Sequence, residues 1–324
     1  MQDHGQGGAG PVETVVAVVV TYNRRDLLAE ALAAVHAQTR APDTVVVVDN
    51  ASTDGTGELV RERFRSVDLV TLGRNAGGAG GFAAGLSRAL ARDADLVWLM
   101  DDDTVPEAGA LAALLDARAG CPGDERPTLV ASRVVWTDGR DHPMNTPRQK
   151  PRASRRERTA AATVGCVPIR SASFVSLLVD GAAARERGLP IADYFLWNDD
   201  FEFTTRLLRG RRGLLCPASV VVHKTRTFAS TDADPGERFF FEVRNKVWTF
   251  TRSSGLAPLE RLLYAGSTVR RWVRTLARSR DRATLRRELW RGLAAGFRTR
   301  PRPTEAVLAD AAGVGRVPPP VAPT

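Results

Sequence analysis

Three consecutive aspartates, Asp101, Asp102 and Asp103, directly follow the apolar run Leu96 to Met100. Such a run predicts a buried strand, and adjacent carboxylates at its end repel one another. A divalent cation removes that repulsion, and carboxylate oxygens are ligands that suit Mg²⁺ and Mn²⁺. The alternative is a solvated acidic turn before a helix, because Asp is a favoured N-cap residue and Pro106 suits a first helical turn. The triplet alone leaves both interpretations open.

Polar side chains also follow three other predicted strands. The runs Thr14 to Val20, Thr44 to Val48 and Asp68 to Leu72 are each followed by a helical pattern, as in a parallel doubly wound α/β sheet. Right-handed crossovers place the carboxyl ends of such strands along one edge, where ligands bind. Their convergence favours a cation site over a solvated turn. The side chains expected there, beside the triplet, are Thr21, Asn23, Arg24, Asp49, Asn50 and Asn75.

Beyond Thr128 the regular alternation of strands and helices ends. Residues 138–163 are rich in Arg and Pro, and the absence of an apolar period predicts a long functional or disordered loop. Asp199 and Asp200 begin a predicted helix, whose dipole favours acids in its first turn. Two short strands follow, and the second ends at His223. A lone His more often has a structural role. The position of His223 at a strand end nevertheless makes it a candidate site residue.

The net charge of +9 is unevenly distributed along the 324 residues. The first 255 residues carry 32 basic and 32 acidic side chains, whereas the segment from Leu256 onward carries 14 and five. The neutral part argues against a nucleic-acid-binding core, and the basic tail predicts a surface that binds anions. Cys121, Cys166 and Cys216 lack metal-ligand spacing, which indicates a reducing compartment without a disulfide framework. We identify no signal peptide and no apolar run of about 18–20 residues, so we expect a soluble or peripheral protein.

The tail from Pro258 to Phe297 has apolar residues at helical spacing, separated by arginines. This pattern predicts basic amphipathic helices, which bind an anionic membrane surface or pack in part on the preceding domain. Residues 1–12 and 300–324 are Gly-rich or Pro-rich and weakly patterned, so we expect both to be disordered.

The motifs, taken in order, resemble those of the family 2 glycosyltransferases, inverting enzymes of the GT-A fold that use nucleotide-sugar donors. The matching segments lie between Val15 and His223 and read VVVTYNR, VVVVDNASTDGT, GRNAGGAGGFAAGL, WLMDDD and FLWNDDFEF. Each motif is weak alone, but five in order form a specific signal. The glycine-rich segment and DPGERFFFEVRNKVW look most like bacterial galactofuranosyl- and rhamnosyltransferases of cell-wall polysaccharide synthesis.

The resemblance implies a role for each acidic candidate. Asp101 and Asp103 would contact Mn²⁺ or Mg²⁺ or the donor diphosphate, with His223 as a third metal ligand. Asp102 would face the ribose or a supporting partner. Asp200 matches the general base of the family, which must lie within hydrogen-bond reach of the acceptor hydroxyl. Asp199 is the alternative base or an acceptor contact.

Other candidates have two interpretations each. The resemblance implies that the six polar residues at the strand ends, Asn75 among them, hold the nucleotide-sugar. The glycines of residues 77–81 would allow close backbone approach to the donor. Trp197 is a sugar platform or a core residue. Arg244 or Lys246 could neutralise the departing diphosphate, or lie on a solvated helix face.

We therefore predict a GT-A domain over residues 13–255, with a nucleotide-binding half to about residue 120 and an acceptor half after it. A basic helical membrane-surface region would cover residues 256–299. The expected activity is metal-dependent transfer of galactofuranose or rhamnose from a UDP- or dTDP-linked donor to a cell-wall or polyprenyl-diphosphate-linked glycan. We expect a cytoplasmic protein, peripheral on the inner face of the plasma membrane. The alternative is a non-catalytic nucleotide-sugar-binding or scaffold protein, whereas the missing P-loop pattern argues against a phosphotransferase.

Overall fold

The computed structural model describes residues 13–225, 228 and 234–312, so the predicted disorder of residues 1–12 lies outside the described residues. The strands are β1 Val15–Thr21, β2 Thr44–Asp49, β3 Asp68–Thr71, β4 Leu96–Asp101, β5 Thr104–Pro106, β6 Leu129–Val135, β7 Arg148–Gln149, β8 Val167–Ser171, β9 Leu177–Asp180 and β10 Gly213–His223. The helices are α1 Arg25–His36, α2 Thr56–Arg63, α3 Gly77–Leu90, α4 Ala110–Gly120, α5 Arg155–Thr163, α6 Gly181–Arg187, α7 Asp199–Leu207, α8 Phe239–Thr251, α9 Pro258–Arg278, α10 Arg282–Arg298 and α11 Thr304–Ala311.

The strands form one mixed sheet in the order β3, β2, β1, β4, β9, β6, β10, β8 and β7, with β5 paired to β10. Strands β1 to β4 are mutually parallel, in the register that pairs Thr21 with Asp49 and Val20 with Asp101. Strand β9 runs antiparallel between β4 and β6. The parallel half therefore brings the carboxyl ends of β1, β2 and β4 to one edge, as predicted.

Strand β1 shows why this half folds as it does. All seven of its residues are buried. Val16, Val18 and Val20 join the apolar core on one face of the sheet, whereas Val15 and Val19 join the core on the other face. A strand buried on both faces reads as a continuous β-branched run, because helices cover both sides of a parallel sheet.

The glycine-rich segment is the beginning of α3 and not a turn before it. A Cβ on Gly81 would lie 2.4 Å from Cγ1 of Val20, and one on Gly85 would lie 2.3 Å from Cγ1 of Val18. These glycines let α3 lie directly on β1. Gly81 was predicted to allow close backbone approach to a donor. In the structure it allows α3 to pack against β1. Gly77 begins α3 with φ of +73°, a conformation that favours glycine.

Two predictions about the second half were wrong. The segment 138–163 contains β7 and α5, whose start is capped by Ser154 accepting from the Glu157 backbone N–H. Helix α5 is arginine-rich and exposed on most faces, so no apolar period marks it. Strand β10 is one strand with an irregularity between Cys216 and Val220, not two strands.

The predicted disorder of residues 300–324 is also wrong over α11, because Val307, Leu308 and Ala311 are buried in the main core. Residues 313–324 lie outside the described residues. Short helices without a long apolar stripe carry little sequence signal, which accounts for this error.

The basic tail packs in part and is exposed in part. Trp272 of α9 and Leu285 of α10 are buried with Phe239 and Val243 of α8. In contrast, Leu262 of α9 is 72% exposed, and the other exposed apolar side chains of α9 and α10 are Leu259, Leu263, Val269, Val273, Trp290 and Phe297. Among the described residues, no helix is both long and apolar enough to cross a membrane.

Candidate active site

A cleft of about 810 Å³ opens at the carboxyl ends of β1 and β4. Its walls come from both halves of the sheet and from α7, α8 and α9. Thirteen side chains were predicted as site residues, and eleven of them line this one cleft. These eleven are Thr21, Arg24, Asn50, Asn75, Asp101, Asp102, Asp103, Trp197, Asp199, Asp200 and His223.

The remaining two, Asn23 and Asp49, do not line the cleft. Asn23 Oδ1 accepts a hydrogen bond from the Thr53 backbone N–H at 2.8 Å, and Asp49 Oδ1 accepts one from Ser52 at 2.8 Å. Both side chains therefore shape the loop after β2. Asn50 also has a structural role. Its side-chain Nδ2 donates to Gly77 O, and its Oδ1 accepts from the Ala76 backbone N–H, each at 2.8 Å. It holds the start of α3 against the rim.

Among the described residues, one arginine pairs with the aspartate triplet. Arg24 donates to Asp103 and lies 3.4 Å from Oδ1 of Asp102. Burial, followed by repulsion from Asp103 and Asp102, raises the pKa of Asp101. Burial also raises the pKa of Asp102, to about 6, although Arg24 opposes it. Burial acts in the same direction on Asp103, but His223 and Arg24 hold its pKa below the usual range. The triplet therefore remains short of positive charge.

Asp101, Asp103 and His223 form a cluster that fits a metal ion, because one ligand atom from each lies within 4.8 Å of the others. Asn145 donates its Nδ2 to Ser173 Oγ at 3.2 Å and presents Oδ1 to His223 Nδ1 at 2.9 Å. Nε2 of His223 lies 3.0 Å from Asp103 Oδ1, a buried oxygen to which the described chain supplies no other donor. In a neutral imidazole that donates through Nδ1 to Asn145, the Nε2 lone pair faces this oxygen. A proton on Nε2, which makes an ion pair, or a metal ion held by both atoms removes the repulsion between them.

The opposite wall carries Asp199 and Asp200 in the first turn of α7. The loop before them is strained, because Phe195, Trp197 and Asn198 all have φ between 62° and 66°. Such values are uncommon for residues other than glycine and need support from neighbouring structure. Asn245 of α8 supplies it, since its Nδ2 lies 2.9 Å from the carbonyl oxygens of Tyr194, Leu196 and Trp197. A long-range clamp therefore holds the two acids in place.

The two carboxyls differ in their surroundings. Burial, and then the charge of Asp200, raises the pKa of Asp199 to about 8. Burial also raises the pKa of Asp200, but the Phe201 backbone N–H, Lys246 and Arg148 all favour its charged form. The two cations near Asp200 therefore favour its charged form, which is the form that a base requires.

The structure also places residues that the sequence patterns did not identify. Asn145 and Arg148 line the cleft from the segment that was predicted to be irregular. Glu242 of α8 accepts from Asn198 Nδ2 at 2.8 Å, behind the acidic pair. The DPGERFFFEVRNKVW motif contained the signal for Glu242 and Asn245, whereas no pattern marked Asn145.

Two further candidates, Arg244 and Lys246, can now be placed, and the two interpretations of Trp197 can be compared. Trp197 lines the cleft, and the Arg238 guanidinium lies 5.2 Å from its ring centroid, so its indole is a wall element and not a core residue. Arg244 donates to the carbonyl oxygens of Asp193 and Tyr194 and stacks on Trp248 at 4.3 Å, outside the cleft lining. Lys246 does line the cleft. Of the two predicted diphosphate contacts, only Lys246 is in a position to meet a ligand there.

Comparison with known proteins adds a family match. The family model described as glycosyl transferase family 2 matches residues 16–169. Over 263 residues the chain is 35% identical to galactofuranosyltransferase GlfT1 of Mycobacterium tuberculosis, covering 74% of this chain and 83% of that protein. Over 314 residues it is 27% identical to N-acetylglucosaminyl-diphospho-decaprenol L-rhamnosyltransferase of the same organism, covering 84% and 95%.

A solved structure shares the fold. The mannosyltransferase PcManGT from Pyrobaculum calidifontis, in complex with GDP-Man and Mn²⁺, superposes with a TM-score of 0.51. The match covers 92% of this chain and 79% of that protein, at 21% sequence identity. The similarity extends through the sheet and beyond the family match, to the elements that form the second wall of the cleft.

Proposed function

This chain belongs to glycosyl transferase family 2, and we propose that it transfers galactofuranose from UDP-galactofuranose to a glycan acceptor with inversion at the anomeric carbon. The observation that carries the proposal is the cleft itself. A three-ligand cluster lies on one wall, and Asp200 lies on the other. Galactofuranose is favoured over rhamnose because identity is 35% with the galactofuranosyltransferase and 27% with the rhamnosyltransferase.

Asp101, Asp103 and His223 would hold Mn²⁺ or Mg²⁺, with Asn145 fixing the imidazole. When bound, the cation would neutralise the charge that develops on the departing nucleoside diphosphate. Arg24 lies beside the same carboxylates and adds a fixed positive charge at the donor wall. Asn75 and Thr21 line the cleft where the strand ends meet, so the donor nucleotide would lie against them.

The chain's own acids account for the proton transfer. The acceptor hydroxyl gives its proton to Asp200, and its oxygen forms a bond to the anomeric carbon. The bond from that carbon to the diphosphate oxygen breaks on the opposite face, and the nucleoside diphosphate leaves with the electron pair. The protonated Asp199 carboxyl is a hydrogen-bond donor beside the acceptor. Such positioned acid–base catalysis contributes about 10²–10⁴-fold to rate.

A donor screen tests the function. Purified full-length protein is mixed with Mn²⁺ and an acceptor disaccharide glycoside, and release of nucleoside diphosphate is followed for UDP-galactofuranose and dTDP-rhamnose. We expect turnover with the first donor and loss of turnover on chelation. Turnover with dTDP-rhamnose alone would correct the sugar and keep the mechanism. Donor binding without transfer or hydrolysis would instead favour the non-catalytic scaffold.

We further propose that α9 lies on an anionic membrane surface. Its exposed apolar side chains include Leu259, Leu262, Leu263 and Val273, and exposed arginines flank them. An amphipathic helix with basic flanks binds such surfaces through buried apolar area and electrostatic attraction. Each cation near an anionic leaflet contributes about 1 kcal/mol.

Flotation with liposomes tests this proposal. Full-length protein should float with vesicles that contain anionic lipid at low salt, and should float much less with neutral vesicles. The double substitution Leu262→Gln and Leu263→Gln removes apolar area without changing charge, so we expect at least about a tenfold weaker association. Equal flotation of the variant and the parent would rule out α9 as the contact.

A further inference from the structure

A second cavity, of about 180 Å³, adjoins the cleft beside Asp200. It shares Arg148, Lys246 and Arg271 with the cleft, but none of the metal-site residues line it. Its size is below the roughly 300–1,000 Å³ of pockets for drug-sized ligands, so it suits a compact group. Five of its lining residues are cationic, and hydroxyls such as that of Ser267 complete the lining. We call it the basic pocket.

The positive charge of the basic pocket is mostly unneutralised. Arg271 pairs with Glu242. In the described part of the chain, no carboxylate lies within 4.0 Å of the charged nitrogens of Arg148, Arg270, Arg274 or Lys246. Clustered like charges repel one another, so a bound anion would stabilise this arrangement.

The surroundings of Lys246 provide a second, independent observation that favours an anion in the basic pocket. It is 4% exposed, yet its ammonium group has no hydrogen-bond partner among the described residues and lies 3.8 Å from the Phe201 ring centroid. Burial, despite the attraction of Glu242, lowers its pKa to about 7. A buried ammonium group normally has a partner, because an unpaired charge is costly in a low-dielectric site. An anion in the basic pocket would supply that partner.

We propose that the basic pocket binds the diphosphate of a lipid-linked acceptor, and this inference rests on the proposed glycosyl transfer. The donor diphosphate has its own place at the metal cluster, on the far wall. A second anion site beside the base therefore belongs to the second substrate. Arginine guanidinium groups suit phosphate oxygens because they donate in a planar, bidentate manner.

Helix α9 connects the basic pocket to the lipid surface. Its pocket-lining residues, Tyr264, Ser267 and Arg271, recur at the three- to four-residue spacing of one helix face. The exposed Leu262 and Val273 lie on another face of the same helix. A lipid tail could remain in the membrane beside the apolar face while its diphosphate enters the basic pocket. The first sugars would then extend toward Asp200.

The test compares two acceptors that carry the same disaccharide, one as a neutral octyl glycoside and one as a short prenyl diphosphate. The pocket variant is Arg270→Gln with Arg274→Gln. The matched control is Arg278→Gln with Arg286→Gln, which removes the same charge from exposed positions outside the pocket. We expect the parent to prefer the diphosphate acceptor in kcat/KM. The pocket variant should lose about 10- to 100-fold of that preference, because each charge-assisted contact is strong.

Two outcomes overturn the proposal: a parent enzyme without a preference for the diphosphate, or an equal loss in the control variant. The second would indicate general attraction to anions. Calorimetric titration with inorganic pyrophosphate and geranyl diphosphate, in EDTA, provides a readout that needs no turnover. Parent protein should bind both probes, and the pocket variant should bind them at least about tenfold more weakly.

The same data separate the two proposals. If no acceptor is glycosylated but the probes bind as expected, the proposed function fails and the anion site stands. If inorganic phosphate or glycerol 3-phosphate, a soluble phospholipid headgroup, matches the probes in affinity, the site recognises a single phosphate, and the diphosphate assignment is overturned.

Discussion

The wall of the cleft that carries Asp101 to Asp103 is acidic, whereas the wall formed by α8 and α9 is basic. The acidic wall has three carboxylates against Arg24 alone in the triplet's immediate contacts. The basic pocket has five cations against Glu242. Each wall is incomplete without a partner of the opposite charge, a cation in one case and an anion in the other. Opposite requirements within one cleft indicate two substrates that approach from different sides.

The two walls also differ in how they are assembled. Residues of the acidic wall end neighbouring parallel strands, so the topology alone brings them together. Residues of the basic wall come from β7, α8 and α9, which meet only through tertiary packing. Substitutions on each wall test this comparison. We expect a substitution on one wall to change a different measured quantity from a substitution on the other wall.

The largest effect is expected at the base between the walls. Asp200→Asn should lower kcat by about 10²–10⁴-fold, since the amide cannot accept the acceptor proton. UDP affinity, measured by calorimetry, should change by less than about twofold. Asp199→Asn is the matched control and should cost less, because an amide resembles the protonated carboxyl that the structure assigns to Asp199. A larger loss at Asp199 than at Asp200 would exchange their roles.

His223→Ala addresses the acidic wall. We expect Mn²⁺ affinity to fall by about 100-fold, because an imidazole ligand is lost while Asp101 and Asp103 remain. Competition between protein and free Mn²⁺, followed by electron paramagnetic resonance, measures the affinity without turnover. His36→Ala, on the exposed side of α1, is the control and should leave it unchanged. Unaltered Mn²⁺ binding in His223→Ala would remove His223 from the site.

Asn145→Ala should have a smaller effect on the same wall. Asn145 orients the ligand through Nδ1 of His223, and loss of such a supporting contact typically costs about 10–100-fold in metal affinity. The Mn²⁺ concentration for half-maximal rate should rise, while kcat at saturating Mn²⁺ changes little. Asn145→Asp keeps an oxygen acceptor at this position and should restore most of the affinity. Failure of that rescue would indicate a purely structural role.

The predicted meeting of the acidic residues at one sheet edge is observed, whereas their roles stay predictions. The GT-A fold and the glycosyltransferase family are confirmed. Strands β1 and β2 are β-branched runs and β4 is an apolar run, and the candidate site residues follow each of them within a few positions. A one-residue error in a strand boundary did not matter, because Thr21 and Asp101 lie at the same sheet edge in either case.

The basic wall was predicted only in part, for physical reasons. Arg148 lies on a two-residue strand in a segment without apolar periodicity, and the rings that its guanidinium contacts, Phe201 and Tyr264, are more than 50 residues away in the chain. Lys246 was considered for the donor diphosphate, whereas the structure places it in the pocket beside Asp200. The tail forms the helices α9 and α10, but the division of its apolar side chains between core and solvent was not predictable. Trp272 is buried against α8, and Leu262 is exposed, although both belong to α9.

The smallest expected effect separates the walls by pH. The pKa of Lys246 is about 7 in the folded chain and near 10.5 when unfolded, so between these values the unfolded state binds more protons. The free energy of unfolding contributed by this group therefore rises with pH across that window, by at most about 1.4 kcal/mol per pH unit, and is lowest below pH 7. Lys246→Met removes the destabilising contribution of the buried ammonium group. The variant should therefore be more stable than the parent at pH 7, and this difference in the free energy of unfolding should shrink as pH rises to 9.

Denaturant unfolding in a phosphate-free buffer measures this difference. Lys150→Met is the matched control, because Lys150 pairs with Glu157 at 2.8 Å and its loss should not produce a gain. Pyrophosphate should flatten the pH slope of the parent, since an anion beside Lys246 favours the charged ammonium in the folded state. Pyrophosphate could instead leave the pH slope of the parent's unfolding free energy unchanged while Lys246→Met is still more stable than the parent. That result would show that the buried lysine is not part of the anion site. The basic wall would then owe its charge to Arg148 and the arginines of α9.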